Sequence, residues 1–392
     1  VGENLNTQWP IITELDKQRV LECLEEGRLW RGNAKYIFEF EKSFSELHGV
    51  DFCLSVTNGT HALELALESL GIGSGDEVLI PAYTFISTAT AVLIRNAIPI
   101  PVEVCEDTYC INPLRIEEQI TSKTKAIIPV HIAGHACDMD EIMKIAGKHN
   151  LYIIEDCAHA HGSVYKEKPL GSFGDVGTFS FQASKVMTAG EGGAFITKSK
   201  EVWEKASLIF NCGRPMGATY DHLLLSSNYR MSELQAALLL GQIDRLKKQI
   251  ETRNSNTQFL NKCVKNIDGI RPQQRKEYAT VQGYSMYMFR YQKEYFNNLP
   301  REMFINYLID NGIPAFKTYP IFFETSLFDN LKEKYTQFHH YNRDIQYSSD
   351  DFPISKKISE EVVWIPHYYL FHDQIDLERT AQIIRKFVEV YD

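Results

Sequence analysis

The sequence predicts an α/β fold: a large domain with a mainly parallel sheet, followed by a smaller α+β domain. Two observations carry this. From about residue 50 to 245 helical and strand-like segments alternate, the pattern of strands joined by crossover helices. Polar residues then fall at the carboxyl ends of the apolar runs: Thr84 after Ile80, His131 after Val130, Asp156 after Ile154. Ligands gather at that edge in open α/β sheets.

The elements follow in order. A helix is expected over about 13–26. Thr60 to Leu70 has helical spacing in Ala62, Leu63, Leu65, Ala66 and Leu70, and stops at Gly71-Ile72-Gly73. Glu77 to Ile80 is a short buried strand closed by Pro81, and Ile86 to Ile94 returns to helix. Ile98 to Val104 and Lys125 to Val130 read as strands; a Gly134 loop and a helix from Asp138 to His149 lead to the strand Leu151 to Ile154. A helix with a long apolar face, Ser232 to Asn256, carries the chain out of the large domain, so the division is drawn at 1–256 and 257–392. The second part holds a strand at Tyr284 to Tyr291 and helices near Arg301 to Asn311 and Leu377 to Tyr391.

With 392 residues, 44% hydrophobic and 23% charged, the chain has the composition of a soluble globular protein with a sizeable core. A net charge of −10 without a basic run argues against nucleic acid. No apolar stretch approaches the roughly 18 residues of a spanning helix, and Val1 to Asn6 lacks the parts of a signal peptide. The eight cysteines form no C-x-x-C pair and sit mostly in apolar surroundings, as reduced thiols of a cytoplasmic protein do.

The chemistry centres on Lys185, in the run Gly177 to Ala194 that ends Gly190-Glu191-Gly192-Gly193-Ala194. Upstream, Leu151-Tyr152-Ile153-Ile154-Glu155-Asp156 delivers a carboxylate from a strand. A strand-borne Asp and a Lys in a Gly-rich loop suit pyridoxal 5'-phosphate (PLP): the amine forms a Schiff base, and the carboxylate pairs with the pyridinium nitrogen. An isolated Lys would read as a solvated loop residue, and an isolated Asp156 as a helix cap. Asn58-Gly59-Thr60, at a strand-to-helix transition, suits a phosphate at a helix N-terminus, or else a turn and cap. Phe85 follows a buried strand and reads as a stacking ring or as core. Ser180 and Gln182 precede Lys185; the Ser180 hydroxyl suits the phosphate from the side opposite Thr60, though an isolated Ser would carry no signal. His159 and His161, with Cys157, His131 and His135 elsewhere, match no metal-ligand spacing; His159 fits better as a donor to the cofactor's phenolic oxygen.

At these residues the sequence resembles the DegT/DnrJ/EryC1/StrS family of PLP-dependent aminotransferases along nearly its whole length. The matching segments are Thr57 to Thr60, Gly75 to Val78, Pro81 to Ser87, Asp156 to Gly162 and Phe179 to Gly193. The resemblance implies the fold-type I architecture of PLP-dependent transferases. It implies that Lys185 is the Schiff-base lysine and proton shuttle, and that Asp156 holds the pyridine nitrogen. It likewise places Phe85 on the ring, Gly59, Thr60 and Ser180 on the phosphate, and His159 by the phenolic oxygen, where many members carry Gln. Asn228 matches a residue that reaches the phosphate of the partner subunit, which implies a homodimer with shared active sites. Within the family, Leu29-Trp30-Arg31, Thr60 to Leu65, Ala158 to Gly162, Phe181-Gln182, Met187 to Ala189 and Cys212 to Pro215 resemble a branch holding 3-amino-5-hydroxybenzoate synthase and 2-deoxy-scyllo-inosose aminotransferase. A branch of sugar 3-dehydratases carries His in place of the lysine, and Lys185 argues against it.

Three functions are weighed. The first is an aminotransferase that takes an amino group from glutamate or glutamine, passes through pyridoxamine phosphate (PMP), and aminates a keto-sugar, nucleotide-keto-sugar or keto-cyclitol in an antibiotic or glycan pathway. The second is a dehydrating, aromatising lyase. The third is a PLP-binding sensor without turnover. For the substrate pocket, the candidates by position in loops are Trp30, Arg31, His131, Tyr229, Arg230, Lys317, Tyr319 and His367. Arg31, Arg230 or Lys317 suits a carboxylate or phosphate, and equally a surface or interface charge.

Overall fold

A computed structural model describes residues 9–217, 220–335 and 347–391. The N-terminal residues read above for a leader lie outside them. The chain opens with helices α1 (Glu14–Glu25) and α2 (Tyr36–His48), and the first strand is β1 (Phe52–Val56). Then α3 (Gly59–Ser69), β2 (Glu77–Pro81), α4 (Ile86–Ile94), β3 (Ile98–Val102), β4 (Thr124–Ile127), α5 (Met139–His149) and β5 (Tyr152–Asp156) alternate as the apolar pattern requires. A small hairpin, β6 (Val164–Tyr165) and β7 (Lys168–Pro169), precedes β8 (Val176–Ser180), β9 (Gly193–Thr197) and α6 (Lys200–Phe210).

These strands make a seven-stranded sheet in the order β1-β9-β8-β5-β4-β2-β3, parallel except for β9, which runs against both neighbours. Every residue of β2, β3 and β8 is buried, as expected for strands covered by helices on both faces. Separate apolar clusters fill the two sides, one around Phe40, Phe44 and Ile127, the other around Leu65, Ile80 and Phe195.

Helix α7 (Glu233–Val264) runs past Asn256 and through the point where the sequence pattern placed the division. Its Ser232–Gln235 capping box fixes its start. It packs against α1, α2 and the final helix. The contact with α1 is held by a 2.8 Å ion pair between Arg245 and Asp16. Beyond α7 lie β10 (Ile270–Pro272), β11 (Met286–Tyr291), α8 (Arg301–Asp310), β12 (Phe316–Lys317), α9 (Leu331–Lys334), α10 (Pro353–Glu361), β13 (Val362–Pro366) and α11 (Gln374–Tyr391). The four strands form an antiparallel sheet, β10-β11-β13-β12, over a third core around Phe289, Phe304 and Phe387. Among the described residues, no helix is long and apolar enough to cross a membrane.

Candidate active site

The carboxyl ends of β5 and β8, the start of α3, the β2–α4 turn and the rim of the second sheet enclose a cavity of about 980 Å³. Eight of the expected residues belong to it or its wall: Gly59, Thr60, Phe85, Asp156, His159, Ser180, Lys185 and Tyr319.

Asp156 ends β5, and its carboxylate is buried. Oδ2 accepts from Thr88 Oγ1 at 2.9 Å, and Oδ1 from the Ala158 N–H at 3.1 Å. Burial raises its pKa, an effect that Ala158, Thr88 and the nearby Lys185 amine only partly offset. Lys185 sits on a closed hairpin rather than an open glycine loop. Phe181 and Gly192 are bonded through their backbones, as are Ala183 and Gly190, and the Lys185 N–H donates to Gln182 O at 2.9 Å. Gln242, from α7, both accepts from the Thr188 N–H (2.9 Å) and donates to Thr188 O (2.7 Å), which anchors the hairpin's far end. Desolvation lowers the Lys185 pKa to about 8, and Asp156 works in the other direction. The amine is therefore neutral in part near pH 8, far more than an ordinary lysine, as a nucleophile and proton carrier needs.

A phosphate pocket forms where α3 begins. Asn58 caps the helix by accepting from the His61 N–H at 2.8 Å. The first N–H groups of the helix, at Gly59 and Thr60, have no intrahelical acceptor and lie at the positive end of its dipole. Gly59 is required by proximity: a Cβ there would stand 2.7 Å from Ser180 Cβ. The helix start and the end of β8 thus meet as a cradle with two hydroxyls, Thr60 and Ser180, at its sides. Thr60 Oγ1 is set by a 2.9 Å bond to Ser87 Oγ.

His159 accepts the Ala133 N–H on Nδ1 at 3.4 Å, which places its proton on Nε2. Desolvation, then Lys185 and His161, holds its pKa well below the usual value, so it is neutral and a donor. Nε2 lies 3.4 Å from Tyr319 Oη, and the two rings stack at 6.3 Å. Phe85 caps α4 with half its surface open, its ring 5.5 Å from that of Tyr319.

The other candidates stand outside the cavity lining. Arg31 is buried in a two-pronged ion pair with Glu41 (2.5 and 2.9 Å), its guanidinium over Phe210. His131 turns to the opposite side of the sheet edge, where Nε2 meets Glu155 at 3.1 Å and Nδ1 accepts from the Cys137 N–H. Tyr229 is packed against His61 behind the wall. Arg230 donates to Asn211 Oδ1 at 2.8 Å, and Asn228 is exposed. Lys317 is exposed beside the lining residue Phe316, Trp30 is exposed, and His367 is buried edge-on to Trp9. His131, Glu155 and Cys157 approach one another closely enough to hold an ion, but the Glu155 oxygens already accept three backbone N–H groups.

Sequence reasoning passed over Thr88, His61, Glu64, Trp364 and Tyr368, all in the lining. Thr88 had a signal: it lies four residues after Thr84, and the two hydroxyls are 3.0 Å apart. Trp364 and Tyr368 follow from β13, a strand the sequence reading did not anticipate.

Residues 10–387 match the DegT/DnrJ/EryC1/StrS aminotransferase family. The chain is 35% identical over 379 residues to 3-amino-5-hydroxybenzoate synthase of Amycolatopsis mediterranei (strain S699), covering 96% of this chain and 95% of that protein. It is 32% identical over 401 residues to L-glutamine:2-deoxy-scyllo-inosose aminotransferase of Micromonospora echinospora, covering 98% and 94%. A crystal structure of 3-amino-5-hydroxybenzoic acid synthase superposes with a TM-score of 0.91 at 35% identity, covering 98% of each chain.

Proposed function

This chain belongs to the DegT/DnrJ/EryC1/StrS aminotransferase family, and from that membership we propose the reaction it performs and the part each residue takes. It is a PLP-dependent enzyme of the α/β fold-type I class. The reading is that it moves an amino group from glutamate or glutamine to the keto group of a sugar, nucleotide-sugar or cyclitol. The observation that carries it is one cavity holding both a buried carboxylate short of donors and a lysine whose amine is neutral in part near pH 8.

When bound, PLP supplies an electron sink and a carrier for the amino group. The Gly59 and Thr60 amides and the Thr60 and Ser180 hydroxyls would hold its phosphate. Asp156 Oδ would accept from the pyridine N–H, which supplies the donor this carboxylate lacks. Phe85 would pack on the ring, and His159 Nε2–H would donate to the phenolic oxygen. Lys185 Nζ would take a proton from the substrate carbon and deliver it on the same face to the carbon that becomes the amine-bearing one of the cofactor.

Lys185 is the sole Lys or Arg in the cavity lining among the described residues. A phosphate dianion would have no second cation from the lining of its own chain, which supports a homodimer in which the exposed Asn228 serves the site of a second copy. The eight free cysteines suit a reducing compartment, the cytoplasm. The two-part division at 257 fits two functional halves, a cofactor floor and a rim, joined by α7.

The test is spectroscopic. Addition of L-glutamate or L-glutamine to the PLP-loaded enzyme should abolish the visible band and produce the PMP absorbance. The similarity to 3-amino-5-hydroxybenzoate synthase supports a second reading, a dehydrating lyase. A band that neither donor changes would select it.

A further inference from the structure

We propose that His61 and Glu64 form a hydroxyl-reading subsite inside the active-site cavity, which recognises a ring bearing neighbouring hydroxyls. This deepens the aminotransferase reading and rests on it, since it names the acceptor class: an uncharged polyhydroxylated ring rather than a nucleoside-diphosphate sugar or a ring carboxylate.

Both residues line the cavity that holds Lys185. They lie three apart on α3, so they share a face of the helix, with Cβ atoms separated by about 5–6 Å. Their hydrogen-bonding roles are fixed and opposite. His61 Nδ1 faces Thr57 Oγ1 and, at 3.4 Å, Asn58 Nδ2. The Asn58 amide is oriented by its other end, because Oδ1 accepts the His61 N–H. Its Nδ2 is a donor, so His61 Nδ1 is an acceptor and the ring proton resides on Nε2. Burial lowers the His61 pKa and keeps the ring neutral. No partner of Nε2 stands among the described residues.

Glu64 is the complement. Its side chain is 5% exposed, and its one hydrogen bond among the described residues is a long one, 3.5 Å from Tyr229 Oη. Arg95 is near enough to act on it through charge but is ion-paired to Glu68 at 2.9 Å. A buried carboxylate with spare acceptor positions is costly unless donors are supplied. Ring hydroxyls supply them, and one hydroxyl can accept from His61 Nε2–H while its neighbour donates to Glu64. Lining acids outnumber lysines: Glu64, Asp156 and Glu191 against Lys185. With the phosphate and the donor carboxylate already to be held, a further anionic group on the acceptor would find no additional cation in this lining.

The experiment is calorimetric titration of the PLP-loaded enzyme with myo-inositol, uridine diphosphate and benzoate, on wild type, Glu64→Leu and His61→Asn. Myo-inositol should bind wild type more tightly than the two anions, and each substitution should weaken it by about 10- to 100-fold, the worth of a hydrogen bond to a charged or buried group. Glu64→Gln should recover part of the loss. If Glu64→Leu does not fold, the partly exposed His61 site still decides the matter. Equal affinity in wild type and variants, or tighter binding of either anion, overturns the proposal. So does an unchanged affinity accompanied by a shifted monomer–dimer equilibrium, which would assign Glu64 to a subunit contact. The glutamate and glutamine reaction of wild type is run in parallel: its failure removes the aminotransferase reading, while the titrations report on the subsite by themselves.

Discussion

Glu155 and Asp156 are neighbours on one strand, both buried, and they face opposite ways. Glu155 accepts from the N–H groups of Gly171 (2.8 Å), Phe173 (2.7 Å) and Gly174 (2.9 Å), and its Oε2 lies 3.1 Å from His131 Nε2. Asp156 has two donors, Thr88 and Ala158. Burial raises the pKa of both. For Glu155, His131 and the backbone donors outweigh it and the net shift is downward; for Asp156 it prevails and the shift is upward. The difference teaches that burial does not decide what a carboxylate is for; the number of donors does. A saturated carboxylate ties a loop to a strand. A carboxylate left two donors short, in a cavity, is available to a ligand.

The strongest way to break this comparison is to remove the partner on each side. Lys185→Ala should lower turnover by about 10⁴-fold or more, the upper range for loss of a proton-transferring group. It should do so without lowering the melting temperature of the cofactor-free protein. His131→Ala, on the Glu155 side, should do the reverse, costing stability of about 1–3 kcal/mol because a buried acceptor loses one of its donors. Denaturant melts and steady-state rates on the same preparations separate the two.

Next come the carboxylates themselves. Asp156→Asn should reduce activity about 10²- to 10³-fold yet leave the cofactor-free protein as stable as wild type or more so. Its folded pKa lies above the unfolded value, so at neutral pH the ionised group costs the fold free energy, and Asn relieves that cost. A lower melting temperature would contradict the contrast.

Glu155→Gln should cost about 1–3 kcal/mol, the range for disturbing hydrogen bonds to a buried charged acceptor. Here the folded pKa lies below the unfolded value, so the contribution is fully present above the unfolded pKa and is lost as pH falls through the folded one. The stability gap between wild type and variant should therefore close in acid, below the ordinary carboxylate range.

The smallest effect sharpens the comparison most. Capture of PLP by cofactor-free protein needs the neutral Lys185 amine, so its rate should rise with pH and level off above about 8. Asp156→Asn should move that midpoint down, since Asp156 favours the charged amine. Glu155→Gln should leave it in place. Thr88→Val, which removes one donor from Asp156, should cost about tenfold in rate, the worth of one hydrogen bond to a charge. It should shift the midpoint less than Asp156→Asn does.

These neighbours also show what was readable in the chain. The strand, its end and the Lys185 hairpin produce local patterns, and Gly59 announces a close approach. Thr88 bonds Asp156 across 68 positions, and nothing in a local window records that pairing. Arg31 and Arg230 were plausible anion ligands by type; Glu41 and Asn211 use them instead, and a sequence does not state which charge meets which. The cavity rim was least legible, because β13 alternates poorly with its buried neighbours and Trp364 and Tyr368 reach the site only through the second sheet.

Helix α7 has a mechanical consequence. At 32 residues it is about 48 Å long. Near its start, Gln242 grips the hairpin that carries Lys185; farther along, Arg253 Nε donates to Gly283 O at 2.7 Å, just before β11. A single rod is thus fastened to both parts. The cofactor floor and the aromatic rim are thereby held in one fixed register, with the spacing between lysine and rim set by where along the rod each fastening lies.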